Sequence, residues 1–298
     1  MYHQPVMLQE CIDALEIKEN GIYVDVTYGG GGHSRAIMER LKNGRLIAFD
    51  QDEDALKNKI DDDRFTLVNQ NFKYLRQFLK FHNALPVDGI LADLGVSSHQ
   101  FDTASRGFST RFNSDLDMRM NRNAAKTAKQ ILAGYDEKKL QQLFSAYGEI
   151  RNAKTLAAAI VEARNTHPIS TTDDLKNVLA KCVSAAKANQ YYAQVFQALR
   201  IEVNEELDAL KDFLEQSAEV LISGGRLVVM SYHSLEDRLV KNFISKGNFE
   251  GEDEKDFYGN RINVQFKAAY KKPVTPTAAE QSTNPRSRSA KLRVAIKI

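Results

Sequence analysis

The hydrophobic positions fall into two regimes along the chain. Four short runs in the first hundred residues, Ile22 to Thr27, Arg45 to Asp50, Phe65 to Asn69 and Asp88 to Leu94, are apolar or β-branched, with helix-compatible segments or loops between them. That alternation predicts βαβ units and a parallel sheet. After Asp102 the period changes. Leu140, Leu143, Phe144 and Tyr147 recur at i, i+3, i+4 and i+7, as do Leu175, Val178, Leu179 and Cys182, which predicts amphipathic helices. Thr171 and Asp174 have the spacing of a capping box with Asp in place of Glu or Gln, so a helix is expected to start near Thr172. A third helical face, Leu207, Leu210, Leu214, Ala218 and Leu221, stops at Gly224-Gly225, and Arg226 to Ser231 then reads as a buried strand. The expected architecture is an α/β sheet domain made of residues 1–102 and 201–298, with a helical insertion at 103–200. Lys246 to Arg261 reads as an acidic, glycine-containing loop, and no internal repeat is seen.

Composition adds limits. A chain of 298 residues suits roughly two domains, and 43% hydrophobic with 27% charged residues describes an ordinary globular protein. Cys11 and Cys182 lie too far apart for a disulfide framework or a zinc site, and the six histidines have no ligand spacing, so no metal is expected. A reducing cytoplasm fits this cysteine usage. The N-terminus lacks the basic and apolar regions of a signal peptide, and no apolar stretch is long enough to span a bilayer, so no membrane partner is expected. The net charge is only +2, which leaves nucleic-acid binding to local patches. One such patch is the tail, where Lys271, Lys272, Arg286, Arg288, Lys291, Arg293 and Lys297 stand against the single acid Glu280. It reads either as a phosphate-binding strip or as a solubilised loop and edge strand guarded by lysines.

The chemistry begins with DVTYGGGGHS, Asp25 to Ser34, at the end of the first strand. A dinucleotide fingerprint needs G-x-G-x-x-G, but the last position is Ser34 counted from Gly29 and Arg35 counted from Gly30, and no phosphate loop of the Walker type exists. What fits is an acid, three intervening residues and G-x-G: Asp25, Gly29, Gly31. This is the arrangement of Rossmann-like methyltransferases, where glycines without Cβ let the backbone approach the methionine end of S-adenosylmethionine. Asp50 ends the second strand about 20 residues beyond the glycines, where an acid accepts hydrogen bonds from ribose hydroxyls. Asp52 reads as a helix cap. Phe72 follows the third strand, in reach of an adenine or of the core. Ile90 to Asp102, ILADLGVSSHQFD, ends the fourth strand and puts Asp93, Ser97, Ser98 and Gln100 where ligands bind in open α/β sheets. Methyltransferases acting on exocyclic amines often carry D/N-P-P-aromatic here; this chain keeps the acid but continues Leu94-Gly95-Val96.

These blocks, together with HQPVMLQE (His3 to Glu10), RGFS (Arg106 to Ser109), LDMRM (Leu116 to Met120), FQALRIEVN (Phe196 to Asn204), SYHSLEDR (Ser231 to Arg238) and NPRSRS (Asn284 to Ser289), resemble the bacterial N4-cytidine methyltransferases of small-subunit ribosomal RNA, the RsmH or MraW family. The match runs nearly end to end. The resemblance implies a Rossmann-like class I methyltransferase sheet with an inserted helical domain that helps to recognise RNA. It implies S-adenosylmethionine contacts at Gly31, Gly32, His33, Asp50, Phe72, Asp93 and Gln100, and a cytidine near the decoding region as target, in small-subunit rRNA or the assembled subunit. The reading leaves room for a homodimer. Asp93 is the catalytic candidate, as an acceptor that orients the target amine; Arg119, His233, Arg286 and Arg288 are the substrate-binding candidates. Ser234 with Asp237 has the spacing of a helix cap. The chain departs from the family at Asn113-Ser114-Asp115, where Asp-Gly-Pro is usual, and at Tyr191 to Gln194, where Pro-Ala-Thr-Arg is common. The tyrosines suit either base stacking or helix packing. A non-catalytic RNA-binding assembly factor is the alternative function; a zinc deaminase is disfavoured by the lack of P-C-x-x-C.

Overall fold

The computed structural model describes residues 5–259 and 262–298, so His3 and Gln4 of the first motif and Arg261 lie outside the described residues. In chain order the helices are α1 Leu8–Leu15, α2 Gly32–Arg40, α3 Leu75–Phe81, α4 Ser98–Asp102, α5 Ala128–Gly134, α6 Glu137–Gly148, α7 Ala153–Thr166, α8 Thr172–Leu179, α9 Ala188–Asn204, α10 Glu206–Val220, α11 Ser234–Lys246 and α12 Ala278–Thr283. The strands are β1 Ile22–Asp25, β2 Arg45–Phe49, β3 Phe65–Val68, β4 Val87–Asp93, β5 Leu221–Ser231, β6 Phe266–Ala268 and β7 Lys291–Lys297. Two compact units emerge, one of residues 1–95 and 207–298, the other of residues 96–206. The interruption therefore begins seven residues before the expected boundary and ends six after it, which divides the ILADLGVSSHQFD motif between the units.

The first unit holds one sheet in the order β3-β2-β1-β4-β5-β7-β6. The first five of these pair in parallel and β7 runs antiparallel to both β5 and β6. The chain order reverses between β1 and β4, the switch at which doubly wound sheets leave a crevice beyond the strand ends. This is the Rossmann-like methyltransferase order. The inner strands are apolar on both faces: Leu46, Ile47, Ala48 and Phe49 of β2 and Ile90, Leu91 and Ala92 of β4 are buried, as parallel strands covered on both sides must be. One face packs on α10 through Leu210, Phe213 and Leu214, the other on α1 and α2 through Cys11, Leu15 and Ile37.

Two expectations shift here. The Gly224-Gly225 pair does not end the helix; α10 stops at Val220 and Leu221 already pairs with Val87. A register shift between Val87 and Gly89 absorbs the extra residues of β5, with Gly224 at φ +80, a conformation that favours glycine. The basic tail is no edge strand either. β7 lies inside the sheet and β6 forms the edge.

The second unit is helical and has its own core, in which Leu140, Phe144, Leu156, Ile160, Leu175 and Leu199 are fully buried. α8 begins at Thr172, capped by Thr171, whose side chain accepts from the Asp174 N–H while the Asp174 carboxylate accepts from the Thr171 N–H. The departure at Asn113-Ser114-Asp115 docks on that helix start: Ser114 N–H donates to Thr172 Oγ1, Thr172 N–H to the Ser114 carbonyl, and Asp115 bridges Thr171. Tyr191 is buried with its hydroxyl on Asn152 (3.1 Å), and Tyr192 packs on the same core. Both tyrosines thus serve helix packing.

Candidate active site

Asp25, the last residue of β1, is fully buried and spends both carboxylate oxygens inside the loop that follows. Oδ1 accepts from Thr27 N–H (3.1 Å) and Oδ2 from Ser34 Oγ (2.6 Å). Burial raises its pKa, against the opposing pull of His33 and these hydrogen bonds. The acid braces the loop. Its glycines make a cradle: Gly31 sits at φ +76, and a Cβ there would lie 2.7 Å from the Tyr28 hydroxyl, while a Cβ on Gly32 would lie 2.2 Å from Pro5 Cγ. Side chains are thus excluded from the turn that opens α2.

Asp50, just past β2, ties this loop to the next. Its Oδ2 accepts from Gly29 N–H (2.8 Å) and its Oδ1 from Asp52 N–H (2.9 Å). A carboxylate offers about four acceptor positions, so two stay open for hydroxyl donors. Burial pushes its pKa up to about 6, opposed by the two amides. Asp52 caps the short 3₁₀ turn Glu53–Asn58, accepting from Asp54 N–H. Asn69 Nδ2 donates to the Asp50 carbonyl (2.9 Å), which joins the ends of β2 and β3. Phe72 is half-buried and sets its ring edge-on against Phe213, with centroids 5.5 Å apart. Glycines, an acid with two acceptor positions open and an aromatic ring thus follow the ends of β1, β2 and β3.

Asp93 ends β4 beside the same loop. Its backbone N–H donates to Thr27 Oγ1 (2.7 Å), and its Oδ1 accepts from the Tyr232 hydroxyl (2.7 Å). Tyr232 follows β5. His33 Nδ1 stands 3.8 Å from Asp93 Oδ2, too far for a hydrogen bond but close enough for an ionic attraction when protonated. The other ring nitrogen, Nε2, is 3.2 Å from the Val6 carbonyl, which can only accept, so Nε2 carries a proton. Burial raises the Asp93 pKa to about 6, with His33 and the Tyr232 hydroxyl pulling it back. The side chain retains 24% of its surface exposed. A carboxylate anchored by two strands and open on one side can accept a hydrogen bond from an incoming N–H.

The MraW methylase family matches residues 1–298. The chain belongs to that family. It is 57% identical over 298 residues to the ribosomal RNA small subunit methyltransferase H of Flavobacterium johnsoniae, covering 100% of this chain and 98% of that protein. The proteins of the same name from Christiangramia forsetii and Cytophaga hutchinsonii are 54% and 55% identical, covering 100% and 99% of this chain and 98% and 99% of theirs.

The structure distributes the MraW-family candidate residues unevenly. Gly31, Gly32, His33, Asp50, Phe72 and Asp93 all belong to the first unit: Asp93 ends β4, Gly31 and Asp50 lie in the loops after β1 and β2, Gly32 and His33 open α2, and Phe72 opens the 3₁₀ turn after β3. Gln100 belongs to the second unit, where it is buried and its side chain completes the capping box of α4 by accepting from Ser97 N–H (3.0 Å). Arg119 is engaged within its own unit, with Nε and Nη2 on Asp117 and Nη1 on the Ala124 carbonyl (2.7 Å). That geometry gives it a structural task. The cap of α11 is His233 rather than Ser234: its Nδ1 accepts from Glu236 N–H, and the Glu236 carboxylate accepts from the N–H groups of Tyr232 and His233. Asp237 is no cap either. It pairs with Lys291 (3.1 Å) and Arg293 (2.7 Å), which takes two cations out of the basic tail. Arg288 is exposed and Arg286 half-buried in the 3₁₀ turn Pro285–Ser289. The residues that sequence reasoning missed are Thr27 and Tyr232. Each stands inside a quoted motif, but nothing in one sequence tells that they meet at Asp93.

Proposed function

We propose that this protein is an S-adenosylmethionine-dependent methyltransferase that modifies the exocyclic N4 of a cytidine in the decoding region of small-subunit rRNA, acting in the cytoplasm. The observation that carries this reading is Asp93, a carboxylate at the crevice end of β4, braced by Thr27 and Tyr232 beside the glycine loop of a methylase-family chain. Gly31, Gly32 and His33 would hold the methionine end of the cofactor, Asp50 its ribose and Phe72 its adenine. When bound, the cofactor supplies an electrophilic methyl group on a sulfonium. The protein's own task is placement: an amine held in line at about 3 to 3.5 Å gains much of the acceleration from that geometry alone. The cytidine amine is a poor nucleophile because its lone pair is delocalised into the ring. An N–H donated to the Asp93 carboxylate favours a geometry in which the lone pair is available, and the proton shed after transfer has the same carboxylate within reach. The base leaves its stack to reach this site. The second unit and the exposed Arg288 supply contacts to the rest of the RNA, and Gln100, the remaining cofactor candidate, stands in that second unit. Retention of the glycines and acids argues against the assembly-factor alternative.

The test is methyl transfer from labelled cofactor to small subunits, followed by nucleoside analysis, with Asp93→Asn alongside. Asn keeps the shape but loses charge and acceptor capacity. The expected outcome is labelled N4-methylcytidine with the parent and a single-turnover rate lowered about 100-fold in the variant at saturating ligands. A parent that binds cofactor yet labels no RNA would remove the enzyme reading, and full recovery of the variant by excess cofactor would make Asp93 a cofactor contact only.

A further inference from the structure

We propose that Tyr232 is a positioning residue for methyl transfer, whose hydroxyl fixes the Asp93 carboxylate in the orientation that accepts the target amine. The inference rests on the Asp93 assignment above. An aspartate carboxylate turns freely about its last bond unless something holds it. Here the Asp93 backbone is held by Thr27 Oγ1 (2.7 Å), and the carboxylate itself by the Tyr232 hydroxyl on Oδ1 (2.7 Å). Among the described residues these are the hydrogen bonds that join β4's last residue to the loop after β1 and the turn after β5.

Tyr232 is itself held at both ends. Its N–H donates to Glu236 Oε2 (2.9 Å), a buried carboxylate that caps α11, and its ring packs against the apolar face containing Met230 and Leu292. The phenol therefore does not swing with the carboxylate; the carboxylate takes its direction from the phenol. Burial, with the nearby Asp93 charge, raises the phenol's pKa well above its ordinary value, so it stays a neutral donor throughout the working range. A neutral donor that cannot ionise suits the task, because it stabilises the charged carboxylate without competing for the amine's proton.

The arrangement has a consequence for titration. The groups facing the Asp93 carboxyl are His33 on α2, Tyr232 after β5, Asp25 on β1, Glu236 on α11 and Cys11 on α1. Asp25 and Glu236 disfavour its ionisation; His33 and the Tyr232 hydroxyl favour it. Removing the phenol's donor must raise the carboxyl's pKa, while strengthening the donor must lower it.

The experiment compares five full-length proteins: the parent, Tyr232→Phe, the parent with 3-fluorotyrosine in place of Tyr232, and Asp93→Asn with and without Tyr232→Phe. Three quantities are read: the single-turnover rate at saturating labelled cofactor and small subunits, S-adenosylmethionine affinity by calorimetry, and the Asp93 carboxyl titration by carbon-13 NMR in the cofactor-free protein. The expected result for Tyr232→Phe is a rate lowered about tenfold, an Asp93 midpoint and acid limb of the rate profile displaced upward by about one unit, and cofactor affinity within about twofold of the parent. 3-Fluorotyrosine, a stronger donor of the same shape, displaces the midpoint downward. Tyr232→Phe adds nothing to Asp93→Asn, because the phenol acts through that carboxylate. Parent-like rate and midpoint in Tyr232→Phe, with Asp93→Asn still slow, would overturn the inference and leave the Asp93 assignment intact. A parent-like rate in Asp93→Asn would overturn the assignment itself. If Tyr232→Phe does not fold, the fluorotyrosine protein still decides, since an unmoved midpoint there overturns the inference.

Discussion

At the residue scale, the three acids of the crevice share burial but not task. Asp25 turns both oxygens inward onto Thr27 and Ser34 and acts as a brace. Asp50 spends one lone pair of each oxygen on Gly29 and Asp52, and the proposed function assigns the rest to ribose hydroxyls. Asp50→Ala is expected to weaken S-adenosylmethionine binding by about 1.5 to 3 kcal/mol per charge-assisted hydrogen bond lost, read by calorimetry; unchanged affinity would end the ribose assignment. The pH dependence has a definite sign. Burial raises the Asp50 pKa to about 6, so the carboxylate proposed to accept from ribose is lost as pH falls below about 6, and parent affinity is expected to fall with it. Asp50→Ala should show no such decline from this group. Stability runs the other way: because the folded pKa is raised, the group's contribution is fully present below the ordinary value of 3.8 and is lost as pH rises through about 6.

At the scale of elements, the tail's charge turns out to stitch strand to helix. Asp237 on α11 accepts from Lys291 and Arg293 on β7, and its side chain is 13% exposed. Burial alone would raise its pKa, but the hydrogen bonds from Arg293 and Lys291 outweigh it and the pKa is lowered. Asp237→Asn is expected to cost about 1.5 to 3 kcal/mol, a fall in Tm of about 3 to 10 °C by calorimetry. Because the folded pKa lies below the ordinary one, that contribution is present above it and is lost as pH falls through the folded value. A Tm unmoved at neutral pH would return the triad to a loose surface pair. The same residues explain a misplaced sequence expectation. A run of cations looks alike whether it faces phosphate or a buried Asp some fifty residues earlier. Only the β5–β7 pairing reveals which. The helix caps divide similarly: Thr171 with Asp174 was legible because a capping box is local, whereas at α11 the frame shifted by one residue, since a histidine ring took the hydroxyl's place at the cap.

For the whole molecule, a net charge of +2 means that RNA affinity must come from a few exposed cations. With Lys291 and Arg293 paired, the exposed cations of the tail are Lys271, Lys272 and Arg288, and Arg288 is the one inside a family motif. Arg288→Ala is expected to reduce the salt dependence of binding to small-subunit rRNA by about one unit of log–log slope, with cofactor affinity unchanged; equal slopes would return Arg288 to solvent. The division into units is also a whole-molecule property. Hydrophobic period alone separated sheet from helices, because a strand buried on two faces and a helix buried on one carry different spacings. The boundary moved to 95/96 and 206/207 because contacts, not periodicity, decide which unit a linking segment joins. Strand runs, helix faces, the glycine loop and the acids at the ends of β2 and β4 were all determined by the sequence, since each depends on neighbours a few residues apart. The antiparallel place of β7, the engagement of Arg119 with Asp117 and the Tyr232–Asp93 hydrogen bond were decided by tertiary structure alone. Tyr232 and Asp93 are 139 positions apart, and only the parallel pairing of β4 with β5 brings their strand ends together.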